Sequence, residues 1–255
     1  PNQTIKIRAA GTATITSSQA GNTGFNAATS VTQNITVGYY NLQSDSFSGL
    51  RLWIDGNNLD GDTTEDLVTN ASSITQWIDR SGNNNHPGQA TNSNKPTYAA
   101  NALNGMGVVR FTAAQSLNIT SSNDFITVLA VMKQASNQSA ETKPLGSNIF
   151  ATTAAGKFGL KRQGSAWMDS GVSSQTPALL TIQVYPGNYA LFVNGINKGT
   201  GTDPVAPDSA TKVGNDFAGD FAELVAYGSI LNSGVRQKVE GYLAHKWGLE
   251  SGLPS

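Results

Sequence analysis

From Leu50 onward the apolar residues come in short runs broken by clusters of Gly, Asn, Ser and Pro, and none of these runs is long enough to make a typical helix. The runs are Leu50 to Ile54, Ile74 to Ile78, Val108 to Phe111, Phe125 to Val131, Phe158 to Lys161, Leu179 to Tyr185, Tyr189 to Val193 and Phe221 to Tyr227. Short strands punctuated by turn residues specify a β-sandwich or jelly roll, because each strand buries one face and returns through a tight turn. Pro186-Gly187 and Asn194-Gly195 are strong turn dipeptides, so Leu179 to Lys198 reads as two successive hairpins.

One segment breaks this pattern. Val235, Val239, Tyr242, Leu243 and Trp247 recur at helical spacing, with Asn232 or Ser233 to cap the start and Gly248 to end it. This closing helix is expected to lay its stripe on the sandwich.

The first forty or so residues are different again. Ile5/Ile7 and Val31/Ile35/Val37 alternate around a turn at Gly21 to Asn26, as edge-type strands do. The run from Gly11 through Ser17 and on to Val31-Thr-Gln-Asn-Ile-Thr-Val37 resembles the closing strands of immunoglobulin-like repeats in large bacterial surface proteins. Residues 1–42 would then be a partial immunoglobulin-like segment with edges to cover, and residues 43–255 the main domain. The chain opens at Pro1 without a start Met or signal, which reads as an excerpt of a longer exported polypeptide.

Composition narrows the partners. The net charge of -1 and the lack of any basic run argue against nucleic acid or anionic membrane surfaces. No stretch approaches the roughly 20 apolar residues of a membrane span. With no Cys there are no disulfides, thiolate metal sites or cysteine nucleophiles, so rigidity is expected to come from a bound metal.

Asn58-Leu-Asp60-Gly-Asp62-Thr-Thr64-Glu-Asp66 sets oxygen-bearing side chains at alternate positions, the pattern of calcium loops. Ca2+ takes six to eight oxygens at about 2.3 to 2.6 Å. In this register Asn58, Asp60 and Asp62 give side chains, Thr64 its carbonyl and Asp66 a side chain or bound water, and Asp55 completes the shell. Thr63 replaces the usual turn glycine and Thr69 the usual bidentate acid, so the ion is expected to be a scaffold ion on a β framework. A plain solvated acidic turn is the alternative.

Six segments, in order, resemble laminin-G-like, concanavalin-A-like jelly-roll domains: Leu50 to Asp55, Trp77 to Asn83, Asn104 to Phe111, Leu191 to Gly195, Gly219 to Leu224 and Glu240 to Leu249. The resemblance covers about Phe47 to Ser255. It implies an all-β, two-sheet antiparallel sandwich with one C-terminal helix, extra N-terminal β-strands, frequent calcium binding and attachment to glycans or proteins. Large adhesins of marine bacteria, which string immunoglobulin-like repeats beside such modules, are the context it suggests, with an extracellular or cell-surface location.

Glycoside hydrolysis needs two carboxylates facing across the scissile bond, and Glu223 has only Asp220 close by in sequence, while Glu65 and Asp66 belong to the calcium loop. His86 and His245 have no Ser or Asp partner recognisable in the sequence. No catalytic residue is therefore assigned, and a polysaccharide-cleaving enzyme is the weaker alternative. A sugar site pairs an aromatic face with polar groups. Trp53, Trp77 and Trp247 read as core. Trp167 stands among polar residues, open between packing and binding, with Asp169 as a companion; Tyr185 and Tyr189 flank a hairpin turn and could contribute as ligand contacts, though ordinary strand packing is the favoured reading for both. The cluster of Asp79, Arg80 and Asn83 is explained equally well by turn stabilisation. The expected function is a calcium-dependent carbohydrate-binding module, with a structural spacer or protein-interaction domain as the alternative.

Overall fold

The computed structural model describes residues 11–37, 42–43, 49–62, 68–119, 125–136, 141–146, 150–152, 156–162, 166–202 and 211–254. The chain divides into two compact units, Pro1–Asn41 and Leu42–Ser255.

In the first unit, β1 (Gly11–Gln19) and β2 (Ala28–Val37) form an antiparallel ribbon. Thr12 faces Thr36 and Thr14 faces Asn34 on one side, while Ala13, Ile15, Val31 and Ile35 share the other. Side-chain hydrogen bonds join Thr12 to Thr36 and Thr14 to Asn34. Val31 and Phe25 are largely exposed. The expected alternation at Ile5 and Ile7 lies outside the described residues.

The second unit is a β-sandwich with a helix on one face, as expected. Its strands are β3 (Leu50–Asp55), β4 (Thr97–Leu103), β5 (Met106–Phe111), β6 (Leu117–Asn118), β7 (Thr127–Gln134), β8 (Thr142–Leu145), β9 (Phe150–Thr152), β10 (Lys157–Leu160), β11 (Met168–Ser173), β12 (Ala178–Tyr185), β13 (Asn188–Val193), β14 (Ile196–Thr202), β15 (Lys212–Val213) and β16 (Gly219–Tyr227). The helix α1 spans Ser233–Trp247. One sheet runs β14-β13-β12-β7-β16-β5-β4, and β3 also pairs with β16; the other runs β11-β10-β9-β8-β15-β6. β16 is shared along its length, with Gly219 to Phe221 against β5 and Glu223 to Tyr227 against β3.

The near-continuous apolar runs of β7, β12 and β16 follow from burial on both faces. In β7, Val128, Ala130 and Met132 point into the core between the sheets, while Leu129 and Val131 join the second core under α1. There they meet Val239, Leu243 and Trp247 of the helical stripe together with Ala244, with Val235 and Tyr242 packed against them. The helix begins where the Asn232 side chain accepts the Val235 N–H at 3.0 Å, and ends at Gly248, whose left-handed φ of 72° lets its N–H reach the Ala244 carbonyl. Polar groups beneath the helix are paired: Arg236 donates to Glu240 at 2.6 Å and Thr181 donates to the same carboxylate at 2.8 Å.

Both hairpins of Leu179 to Lys198 are present, and Asn194 and Gly195 take positive φ values of 50° and 75° at the second turn. The run Ile74 to Ile78 departs from expectation. It makes isolated bridges, Ser73 to Thr97 and Gln76 to Gly88, and plugs Ile74 and Trp77 into the core. An apolar run records burial, and burial does not require a ladder.

Replacing the helix cap, Asn232→Ala, is expected to lower stability by about 1 kcal/mol. Urea unfolding should show a lower midpoint with an unchanged slope.

Candidate functional site

β10 and β11 form the outer edge of the smaller sheet. Trp167 lies just before β11 and is half-buried. Its indole N–H donates to Glu141 Oε1 at 2.6 Å, and Lys161 Nζ reaches the same oxygen at 3.1 Å while lying 5.5 Å from the indole ring centre. Slight burial opposes the charge on Glu141, but the hydrogen bonds from Lys161 and Trp167 and the charges of Lys161 and Lys143 outweigh it and hold the carboxyl below its ordinary value. Asp169 is exposed beside this group; its Oδ1 accepts the Gly171 N–H at 2.8 Å, and its Oδ2 is 3.8 Å from Lys157 Nζ. The edge therefore offers an aromatic surface with charged groups at its rim.

Tyr189, the third residue expected here, is corrected by the structure. Only 2% of its surface is exposed, and it belongs to the core between the sheets. Strand alternation turns it inward, where its ring covers Gly201 on β14 so closely that a Cβ there would fall 2.4 Å from it. Trp53, Trp77 and Trp247 are buried, as read from the sequence.

The expected calcium loop is described as far as Asp62 and again from Val68, so Thr64 and Asp66 lie outside the described residues. Asn58 is buried, and its side-chain amide donates to the Asp62 carbonyl at 2.9 Å. Asp60 is exposed and accepts the Asp62 N–H. Among the described residues no three of His, Cys, Asp and Glu gather into a metal-holding group. Asp55, expected to complete the shell, is engaged elsewhere: its Oδ1 takes the Asn57 N–H, and its Oδ2 takes Arg80 at 3.0 Å and Lys246 at 2.5 Å. The two cationic side chains already on this carboxylate would repel a further cation.

That engagement belongs to a cluster that sequence reading missed. Asp55 on β3 stands directly opposite Glu223 on β16, so the acid that lacked a nearby partner in sequence acquires one across the ladder. Glu223 has no exposed surface and accepts four donors: Trp53 Nε1 at 2.7 Å and Tyr242 OH at 2.8 Å on Oε1, Lys246 Nζ at 2.7 Å and Trp247 Nε1 at 2.8 Å on Oε2. The signal was present: a Glu inside a run buried on both faces must be paired. What the sequence lacked was the partner, 23 residues away on the helix. With every acceptor site engaged, this is not an open pair flanking a substrate.

Burial is the largest influence on Glu223 and pushes its carboxyl up, with Lys246 pulling the other way and Asp55 adding to the rise. Burial also opposes the charge on Lys246, yet Asp55 and Glu223 hold its ammonium above the usual lysine range. Desolvation, reinforced by the charges of Glu223 and Asp55, lifts the Tyr242 phenol well above its ordinary 10.0.

Asp79 organises the neighbouring turn. Its Oδ1 accepts the N–H groups of Trp53 and Ser81, and its Oδ2 accepts Ser81 Oγ and the Asn85 N–H. Asn83 donates to the Leu50 carbonyl, and His86 Nδ1 accepts the Asp79 N–H at 2.9 Å. Turn stabilisation accounts for Asp79 and Asn83, while Arg80 reaches Asp55 and stacks 4.4 Å from the Trp53 ring.

No family model matches the sequence, and no curated protein matches it significantly. Similar solved structures include Trypanosoma rangeli sialidase in complex with the inhibitor DANA, at 10% identity and TM-score 0.50, covering 75% of this chain and 32% of that one. Domain 4 of AbnA, a GH43 extracellular arabinanase from Geobacillus stearothermophilus, in complex with arabinotriose, gives 14% identity and TM-score 0.48 over 68% of this chain and 100% of that one. The binding domain of Paraclostridial Mosquitocidal Protein 1 gives 11% and 0.49 over 76% of this chain and 52% of that one. The chain spans about a third of the sialidase's length, and the likeness is one of fold.

Tyr242 binds its proton more tightly folded than unfolded, so its contribution to stability is complete below pH 10 and is lost as pH rises through the higher folded value. Absorbance at 295 nm should show the Tyr242 phenol ionising only together with alkaline unfolding followed by tryptophan fluorescence. A Tyr242→Phe chain should lose that late step.

Proposed function

We propose that this chain is a glycan-binding, adhesive module of a secreted or surface-exposed bacterial protein. The observation that carries the reading is the half-exposed Trp167 at the sheet edge, with Glu141 and Lys161 in contact with it and the exposed Asp169 two residues further along the chain. A sugar ring has an apolar face and a hydroxylated edge, and an aromatic plane flanked by charged hydrogen-bonding groups matches both. The saturated hydrogen bonding of Glu223 favours binding over hydrolysis, because a carboxylate committed to four protein donors is not placed to take a proton from a water or to hand one to a glycosidic oxygen.

In this reading Ca2+ serves the scaffold. Asn58, Asp60, Asp62, Thr64 and Asp66 supply the hard oxygen donors it prefers, and Asp55 is not among them. No helix of the described residues is long and apolar enough to cross a membrane. The structural-spacer reading is favoured by one observation, the ribbon of β1 and β2, which has exposed apolar residues on one face and the ladder of Thr and Asn on the other. A two-stranded ribbon is marginal alone and gains stability inside a larger array.

A glycan array read in calcium and in chelator tests the proposal. Binding of at least one glycan class is expected, with Trp167→Ala weakening it tenfold or more while leaving the melting temperature unchanged. No binding to any glycan in calcium would leave the spacer reading standing. Calcium should raise the melting temperature of the wild type, and Asp60→Asn with Asp62→Asn should remove that increment; equal melting temperatures with and without chelator would dismiss the ion.

A further inference from the structure

The buried acid-base cluster has the arrangement of a condensation site. Lys246 Nζ lies 2.5 Å from Asp55 Oδ2 and 2.7 Å from Glu223 Oε2, so one amine touches two carboxylates. Asp55 is 3% exposed and Glu223 fully buried, and the walls are the rings of Trp53, Tyr242 and Trp247. We propose that Lys246 and Asp55 join in an intramolecular amide bond, with Glu223 as the group that moves the protons.

Three physical arguments support the bond. Contact at this range holds the nitrogen near the carboxyl carbon, close to the separation of about 3 to 3.5 Å at which reacting atoms gain the full advantage of proximity. Two buried charges carry a desolvation penalty that Coulomb attraction offsets only in part, and turning them into a neutral amide removes it. The surrounding rings leave only part of the Lys246 side chain exposed, which limits the water that would reverse the reaction.

The steps balance. Lys246 Nζ passes one proton to Glu223 Oε2, and its freed lone pair forms a C–N bond to Asp55 Cγ. In the tetrahedral adduct the two Asp55 oxygens carry the negative charge, facing the Asn57 N–H on Oδ1 and Arg80 on Oδ2. Glu223 returns its proton to one oxygen and relays a second from the nitrogen, the C–O bond breaks and water leaves. Ammonium plus carboxylate become amide plus one water, and Glu223 ends as it began. The burial that pushes the Glu223 carboxyl up makes it a better carrier for a lysine proton than an exposed acid would be.

Asp55 ends the first strand of its unit and Lys246 sits in the last turn of its helix, 191 positions apart. The bond would close nearly the whole sandwich into one covalent loop in a chain without Cys. Pulling force entering at either end would pass through the cross-link, as it does through a disulfide in an extracellular domain. The inference stands apart from the glycan reading, because a sandwich of either function can carry such a staple.

Intact mass spectrometry of the denatured full chain decides the matter without requiring any variant to fold. The wild type should be lighter than its sequence by one water, and trypsin should release a branched peptide containing both Asp55 and Lys246, uncleaved at Lys246. Lys246→Arg and Asp55→Ala should restore the full sequence mass. Asp55→Asn should instead lose one ammonia. Glu223→Gln should leave most molecules unlinked, and full linkage in that variant would overturn the role given to Glu223. A wild-type mass equal to that of the sequence would overturn the bond itself.

Discussion

The architecture of the larger unit turns on one buried carboxylate. Glu223 collects an indole from β3, an indole and a phenol from α1, and the Lys246 ammonium, so the first strand, the central strand and the closing helix meet at its two oxygens. Apolar contact alone would allow the helix to slide across the sheet, since the hydrophobic effect is non-directional. Three charge-assisted hydrogen bonds from the helix fix its register and a fourth, from Trp53, ties β3 to the same buried carboxylate. Asp55 and Arg80 extend the tie to the loop that Asp79 organises, which in turn holds the Trp53 and Leu50 backbone.

This placement separates two faces. The helix side of the larger sheet is filled by the second core and its paired polar groups, whereas the smaller sheet ends at β11. The Glu223 cluster belongs to the larger sheet, and the proposed glycan-binding residues stand beside the smaller one. Removing the Glu223 charge is therefore a scaffold perturbation, and removing the Trp167 ring is a surface one.

Much of this was legible in the sequence, and the reasons are local. Asn232 and Gly248 bracket the helix because capping chemistry is decided within a turn, and Asn194-Gly195 marks its hairpin for the same reason. Burial of Trp53, Trp77 and Trp247 followed from their apolar neighbours. The errors arose where the answer depended on distant chain. Asp55 reads as a metal ligand until Lys246 and Arg80 are placed beside it, and the ligand contact held open for Tyr189, beside its favoured reading as strand packing, closes once Gly201 is seen to make room for its ring. Glu223 appears solitary because its partner acid is reached across a ladder spanning most of the domain.

The four tryptophans offer a direct reading of whether Glu223 holds the fold as described, since each carries one indole N–H in a different setting. Hydrogen exchange followed by NMR should find the Trp53, Trp77 and Trp247 indoles opening only with global unfolding, and the Trp167 indole exchanging far faster from its bond to the exposed Glu141. Fast exchange at Trp53 and Trp247, comparable to Trp167, would contradict the account, because it would mean that the carboxylate at the centre of the domain does not keep its donors.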